Sequence, residues 1–237
     1  MVSYFELMGF GPQGWGLLLL HATLMTVGVS CAAFSLGSVI GCLIAWARIE
    51  GIRGLQIASD VYSTVLRGIP DLLVIYLLYF GGSAALTSVA HWMGATGFVG
   101  VNAFGAGAIA VGIISAAYQS EIFRGAFGAI AAGELEAARA MGMPRWLMFR
   151  RIIAPQALRF ALPGLGNVWQ IAVKESALIS VVGLTEILRQ AQVGAGSTRQ
   201  PFAFYITAML LYLTLSTVSG WGFQRAEMIA MRGVRRS

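Results

Sequence analysis

Charge is what this sequence has least of. Asp, Glu, Lys and Arg together make up 11% of its 237 residues, where a soluble domain carries roughly 25%. Leu, Ala, Ile, Val and Gly take the place of the missing charge, so the chain reads as an integral membrane protein. Histidine occurs only as His21 and His91, and cysteine only as Cys31 and Cys42. Residues so few and so scattered exclude a metal cluster and a catalytic triad. His21 reads as an interfacial or hydrogen-bonded histidine. The two cysteines share the first apolar run, about 16 Å apart along a helix. That is too far for a disulfide, and they are expected to be packing residues. Lysine occurs once, as Lys174 after Val173. A phosphate-binding Walker loop needs Gly-Lys-Ser/Thr, so this chain cannot supply one, and nucleotide-driven work would require a separate subunit.

What is there is apolar. Hydrophobic residues make up 57% of the chain, and the mean hydropathy is +0.75. The 30 glycines suit spanning helices that approach closely. The net charge of +6 would point to nucleic acid in a soluble protein. Here the arginines fall between apolar runs, so the positive-inside rule accounts for them and no nucleic-acid partner is expected. The N-terminus lacks a basic region and the first apolar run is too long for a signal peptide's core, so no cleavable signal is expected.

Five apolar runs are long enough to cross a bilayer, which takes about 20 residues: 16–47, 70–90, 104–123, 160–182 and 202–223. The expected fold is therefore all-α, a bundle of about five transmembrane helices forming a single transmembrane domain over 1–237. A closed barrel would need strict alternation, which these runs lack. Between the first two runs, 55–67 is amphipathic, with Ala58, Val61, Tyr62, Val65 and Leu66 on one face and Gln56, Ser59, Asp60, Ser63 and Arg67 on the other. It is expected at or near the membrane surface. Segments 91–103 and 184–201 read as outside loops. Pro163, Gly164, Gly166 and Asn167 predict a bend or local unwinding in the fourth run. Trp46, Trp92, Trp146, Trp169 and Trp221 read as interfacial anchors.

Arginine placement sets the expected topology. Twelve arginines (48, 53, 124, 139, 145, 150, 151, 159, 225, 232, 235 and 236) flank the runs on one side and two, Arg189 and Arg199, on the other. The positive-inside rule then puts the N-terminus outside and the C-terminus in the cytoplasm. Segment 134–155, the longest charge-rich interruption, lies on the cytoplasmic side. Glu136, Ala137, Ala138 and Arg139 favour helix. Gly142 suits a C-cap, Pro144 can open a second short helix, and Pro155 is expected to end it. The result is a compact knob with Met141, Met143 and Trp146 at its surface, either a docking element or a solvated loop.

The segment resembles a known motif. Glu136-Ala137-Ala138, Gly142 six residues after Glu136, and then Ile152 and Pro155 are similar to the EAA motif of ABC-importer permease subunits, with Ala154 where that family usually has Leu. Arg67-Gly68-Ile69-Pro70-Asp71, Glu121-Ile122-Phe123-Arg124-Gly125, Ala161 to Gln170 and Lys174 to Leu178 resemble the polar amino-acid permeases. The likeness is nearest to their histidine/lysine-arginine-ornithine and octopine/nopaline branch. The resemblance implies a type I importer permease (MetI-like) fold in the cytoplasmic (inner) membrane, and transport of a polar, basic amino acid or opine by alternating access. It implies that Glu136, Ala137, Ala138, Gly142, Pro144, Trp146, Ile152 and Pro155 couple the chain to an ATPase. It also implies a dimer of ATP-binding subunits, a second and similar permease subunit that pairs with this chain as a heterodimer, and an extracytoplasmic solute-binding protein. ATP and magnesium would be bound by the partner. On this reading the chain is not itself an enzyme and binds no cofactor.

Ionisable groups at membrane depth are costly and mark function by default. Glu121 with Tyr118 and Gln119, Glu175 with Ser176, and Asp71 are therefore candidates to line a path for a cationic or zwitterionic amino acid. The alternative for each is structural pairing between spans. For the chain as a whole, the alternatives are a passive channel or facilitator, and a structural membrane subunit not coupled to an ATPase.

Overall fold

The structure is a computed structural model that describes residues 4–12, 14–49 and 51–231. Arg232, Arg235 and Arg236, counted above in the C-terminal tail, lie outside the described residues. In chain order the helices are α1 Tyr4–Leu7, α2 Gly16–Ile49, α3 Arg53–Gly68, α4 Asp71–Tyr76, α5 Gly82–Trp92, α6 Ala103–Gly128, α7 Ala132–Ala140, α8 Arg145–Met148, α9 Ala154–Glu175, α10 Ile187–Thr198 and α11 Pro201–Ala230. A π-helical turn, Leu77–Gly81, joins α4 to α5, and a second, Phe149–Ile153, joins α8 to α9. A 3-10 segment, Ser176–Val182, follows α9. Among the described residues there is no β-strand, as expected of a chain that must satisfy its backbone inside each span.

α6 is the axis of the bundle. Of its most apolar window 67% is buried, against 28% for α2, 17% for 71–92 and 11% for α11. Its inward residues are nearly all Ala, Gly and Ser, which lets neighbours come close enough for dispersion contacts to accumulate. The closest neighbour is α2, whose buried residues recur every three or four positions: Leu19, Ala22, Thr26, Val29, Ala33, Gly37, Gly41 and Ala45. The two helices run parallel, with Ala33 at Gly112, Gly37 at Ser115 and Gly41 at Ala116. A β-carbon on Gly37 would sit 2.8 Å from Gln119 Nε2 and 2.9 Å from Ser115 Cβ, so only glycine fits there.

α9 packs between α6 and α11 and runs antiparallel to both, Gly164 facing Ile122 and Gly166 facing Phe223. The chain thus gathers the ends of α2, α6 and α11 that carry Arg48, Arg124 and Arg225 at one end of the bundle.

Among the described residues four helices are long and apolar enough to cross a membrane: Gly16–Ile49, Asp71–Trp92, Ala103–Gly128 and Pro201–Ala230. The fifth expected span falls on α9, which lacks the hydropathy of the other four. α9 carries Gln156, Arg159, Gln170, Lys174 and Glu175; Glu175 is buried in protein, Gln156, Arg159 and Gln170 are half-buried and Lys174 is exposed. The expected unwinding at Pro163–Asn167 is not there; the helix is unbroken from Ala154 to Glu175. The backbone instead tightens after Glu175 and ends at Gly183, whose φ is 93°.

Other differences have local causes. The helix does not stop at Pro155, which sits in the first turn of α9. A proline removes one i→i−4 hydrogen bond and crowds the carbonyl four residues back, and the wider π turn immediately before it accommodates both. The expected loop 184–201 is mostly α10. Its buried face is Ile187, Gln190, Ala191, Gly194 and Ala195, too small and polar to read as an apolar stripe, and Phe204 lies over Gly194. α3 is amphipathic as expected but inverted. Ser59 and Ser63 are buried while Ile57, Val61 and Val65 are about half exposed, and Tyr62 Oη donates to the Ile113 carbonyl at 2.6 Å. α3 therefore lies along α6 rather than only at a surface. Cys31 and Cys42 are exposed, not packed inside. Trp169 is no span-end anchor, because its ring meets Phe34 edge-on at 5.6 Å.

Gly37→Leu is expected to lower stability by about 1–3 kcal/mol or more, the cost of overpacking a close seam. Thermal unfolding of the detergent-solubilised protein measures it.

Candidate functional site

The knob is two helices around a glycine corner. α7 ends in a Schellman arrangement: Gly142 N donates to Arg139 O at 2.9 Å and Met143 N to Ala138 O at 3.1 Å. Gly142 has a φ of 70°, in the left-handed region that glycine enters without a Cβ penalty. Pro144 sits at the N-cap of α8. Ala138 and Met148 are buried, and a Gln156–Glu134 hydrogen bond braces α7 against the start of α9. Glu136 and Ala137 are exposed. Met141 is 85% and Trp146 71% exposed, so large apolar side chains project from the arginine-rich end of the bundle. Ile152 lies half-buried in the π turn and Pro155 is exposed one turn into the continuing helix. Trp146 stacks on Phe149 at 5.9 Å, beside a groove of about 610 Å³ that also touches Trp46, Phe127 and Arg145.

The residues expected along a path divide among three places. Asp71, Tyr118 and Glu175 come together. The Glu175 carboxyl group lies close to that of Asp71, and Tyr118 lies within electrostatic reach of both and of Arg67. The Arg67 guanidinium stands 5.8 Å from the Tyr118 ring centroid, a cation–π distance. Glu175 is buried while its neighbour Lys174 is exposed, as adjacent helical positions pointing about 100° apart require.

Gln119 lies elsewhere, in the α2–α6 seam. It donates to Phe34 O at 3.1 Å and Ser115 Oγ at 2.8 Å, and accepts from Ser38 Oγ at 2.6 Å. Ser176 donates to Val173 O at 2.7 Å, within its own helical segment.

Glu121 belongs to a junction of charges that sequence reasoning did not assemble. Arg48, its side chain 8% exposed, pairs with Glu121 of α6 and with Asp60 of α3. Arg124 donates to Glu121 Oε2 through Nε at 3.0 Å and Nη2 at 2.9 Å. Gln56 Nε2 donates to the Arg48 carbonyl at 3.1 Å. No linear motif spans residues 48, 60 and 121. The available signal was only the polar face of 55–67, which needs a polar partner when it is not in water.

Glu186 was also missed. It is fully buried and caps α10, accepting from Leu188 N at 2.9 Å and Arg189 N at 2.7 Å, and from the Tyr212 hydroxyl of α11. The Thr26 hydroxyl of α2 accepts from Ile187 N at 3.3 Å. The Glu186 carboxylate thus ties α10 to α11, and the Ile187 amide ties α10 to α2, at the end of the bundle opposite the knob.

A helical bundle with a polar, partly buried charge cluster between its spans and a helical knob at its arginine-rich end defines a membrane transport permease. The chain belongs to the family of binding-protein-dependent transport system inner membrane components, whose model matches residues 37–226. It is 56% identical over 235 residues to the octopine transport system permease protein OccQ of Agrobacterium tumefaciens, covering 99% of both chains. It is 46% identical to the nopaline transport system permease protein NocQ of Agrobacterium fabrum, covering 97% of this chain and 98% of that one. With the histidine/lysine/arginine/ornithine transport system permease protein HisQ of Escherichia coli it shares 36% identity, over 94% and 98%. A crystal structure of an amino acid ABC transporter with histidines matches with a TM-score of 0.78 and 29% identity, covering 96% of this chain and 99% of that one. The all-α, MetI-like fold is therefore that of importer permeases, and the chain is an inner membrane component of such a system.

Glu186→Ala is expected to destabilise the protein by about 1–2 kcal/mol, as loss of an N-cap does, through separation of α10 from α11. A lower melting temperature, together with faster amide exchange over 187–198, is the measurement.

Proposed function

We propose that this chain is the permease subunit of an ATP-driven importer for a polar, basic amino acid or opine. The observation that carries the reading is the convergence of Asp71, Glu175 and Tyr118 with Arg67. Two carboxyl groups this close repel unless a cation lies between them or one holds a proton. A guanidinium or ammonium group of a substrate is such a cation, and Arg67 offers a counter-charge for a substrate carboxylate. Octopine, nopaline, histidine and arginine, named for the relatives, all carry both kinds of group. Arg67 is exposed, so the cluster opens at the surface of the chain, where a second, similar permease subunit completes the path.

The chain is one transmembrane domain, and 134–155 is its coupling segment. Glu136, Ala137, Ala138, Gly142, Pro144, Trp146, Ile152 and Pro155 present the knob to a dimer of ATP-binding subunits, which bind ATP and magnesium and carry out hydrolysis. Support comes from the rigid corner at Gly142, the exposed Met141 and Trp146, and the absence of a Walker loop from the sequence. The arginine-rich end faces the cytoplasm by the positive-inside rule, with the N-terminus outside, where a solute-binding protein delivers the substrate. Closure of the ATPase dimer moves the knob, and the spans alternate access around the acidic cluster.

Glu175→Gln is expected to lower uptake of radiolabelled arginine or octopine by tenfold or more, because a hydrogen bond to a charged group contributes about 1.5–3 kcal/mol. Unchanged uptake by a normally assembled complex would remove Glu175 from the path. Gly142→Ile forces a branched side chain into the left-handed region at a cost of about 1–2 kcal/mol. The expected result is intact membrane insertion with ATP hydrolysis uncoupled from transport. Uptake without ATP by the purified chain alone would instead identify a passive facilitator, and absence of any co-purifying ATP-binding subunit a structural one.

A further inference from the structure

We propose that the Arg48–Asp60 ion pair positions α3 as a lever between the coupling segment and the acidic cluster, with Asp60 a positioning residue for transport. This inference rests on the importer reading above. Three observations carry it.

The first is how α3 is held. Its fully buried residues are both serines, Ser59 and Ser63, with Tyr62 and Leu66 half-buried beside them, so little apolar surface fixes it to the bundle. What holds it is polar: Arg48 on Asp60, Gln56 on the Arg48 carbonyl, the Tyr62 hydroxyl on the Ile113 carbonyl, and the Ser63 and Ser120 hydroxyls 3.3 Å apart. Directional contacts of this kind exchange partners readily, whereas the close-packed α2–α6 seam has no alternative register. α3 is thus the element that moves relative to a fixed pair of helices.

The second is what α3 connects. Arg67 lies in its last turn, and the chain passes through Gly68-Ile69-Pro70 directly to Asp71. A rotation of α3 therefore carries Arg67 with it, while Tyr118 on α6, Glu175 on α9 and Asp71 on α4, whose Ile75 is packed in the core, stay with the fixed helices. Asp60, two turns earlier, sits at the junction where Arg48 also holds Glu121, and Glu121 holds Arg124. From Arg124 the chain runs through the last turn of α6 to α7 and the knob.

The third is the state of the two partners. The Arg48 side chain is 8% exposed, and among the described residues its Nε–H has no acceptor, so two carboxylates hold the guanidinium in place. Asp60 has a side chain 66% exposed, and an ion pair exposed on one side adds little to stability. The contact therefore fixes a geometry more than it fixes the fold, and Asp60 can be replaced without leaving a buried charge unpaired, because Glu121 still faces Arg48.

The test uses the whole complex, this chain with the subunits that co-purify with it, in proteoliposomes supplied with ATP and with radiolabelled octopine or L-arginine. Displacing a positioning element by about an ångström changes rates by one to two orders of magnitude. Asp60→Asn is thus expected to assemble normally and to lower the substrate moved per ATP about tenfold, with a changed KM, while Asp60→Glu restores both. The double variant Arg48→Gln with Asp60→Asn is expected to be no worse than Arg48→Gln alone, since Arg48→Gln already removes the contact that Asp60→Asn removes. Equal KM and equal coupling in Asp60→Asn would overturn the proposal. So would multiplying effects in the double variant, or failure of Asp60→Asn to assemble, which would make the contact structural. A wild-type complex that accumulates neither probe would count against the importer reading itself, independently of Asp60.

Discussion

The contact between α2 and α6 is the constraint from which the other placements follow. Two parallel helices meet through Ala33, Gly37 and Gly41 on one side and Gly112, Ser115 and Ala116 on the other. Lipid offers no hydrophobic drive for such a meeting, so close approach and buried hydrogen bonds must supply it. Gln119 contributes those hydrogen bonds at the centre of the seam. With the pair fixed, α9 has a wall to pack on, and α11 packs on α9 in turn. Gln170 is then half-sheltered, and Glu175 reaches the middle of the bundle without facing lipid.

The polar groups have been sorted by depth and by end. At the arginine-rich end, Arg48, Asp60, Glu121 and Arg124 neutralise one another where α2, α3 and α6 converge. At the other end Glu186 spends its charge on two backbone amides and a tyrosine hydroxyl. Between them lie the acidic groups of Asp71 and Glu175, with Arg67 over the Tyr118 ring. Each end is closed by its own network, and the middle cluster is the one that has carboxyl groups facing each other without a matching pair of cations.

Much of this was legible in the residues. Long runs of Leu, Val, Ala and Gly announce spans because few other structures hide so much apolar side-chain surface, and Gly142 between a helix former and Pro144 announces a corner. What was not legible depended on neighbours distant in sequence. The stripe of α10 is built from Gly194, Ala195 and Gln190, which count as buried only because Phe204 and Tyr212 cover them. α9 looks too polar in places to span until α6 and α11 are placed beside it. The pairing of residues 48, 60 and 121 spans more than 70 positions and is set by where the helices cross. Pro155 misled because a proline usually closes a helix, and here a widened turn one step earlier removes the conflict.

The unequal burial of the spans has a consequence for how this chain can change over time. Along the α2–α6 seam an added methyl group has nowhere to go, so side-chain volume there is held within narrow limits whatever the chemistry of the cargo. On the outer sides of α11 and of 71–92 this chain supplies little packing of its own, and one oily residue can replace another at little cost. Divergence should therefore accumulate around the perimeter, leaving a small-residue spine as the oldest record of the fold.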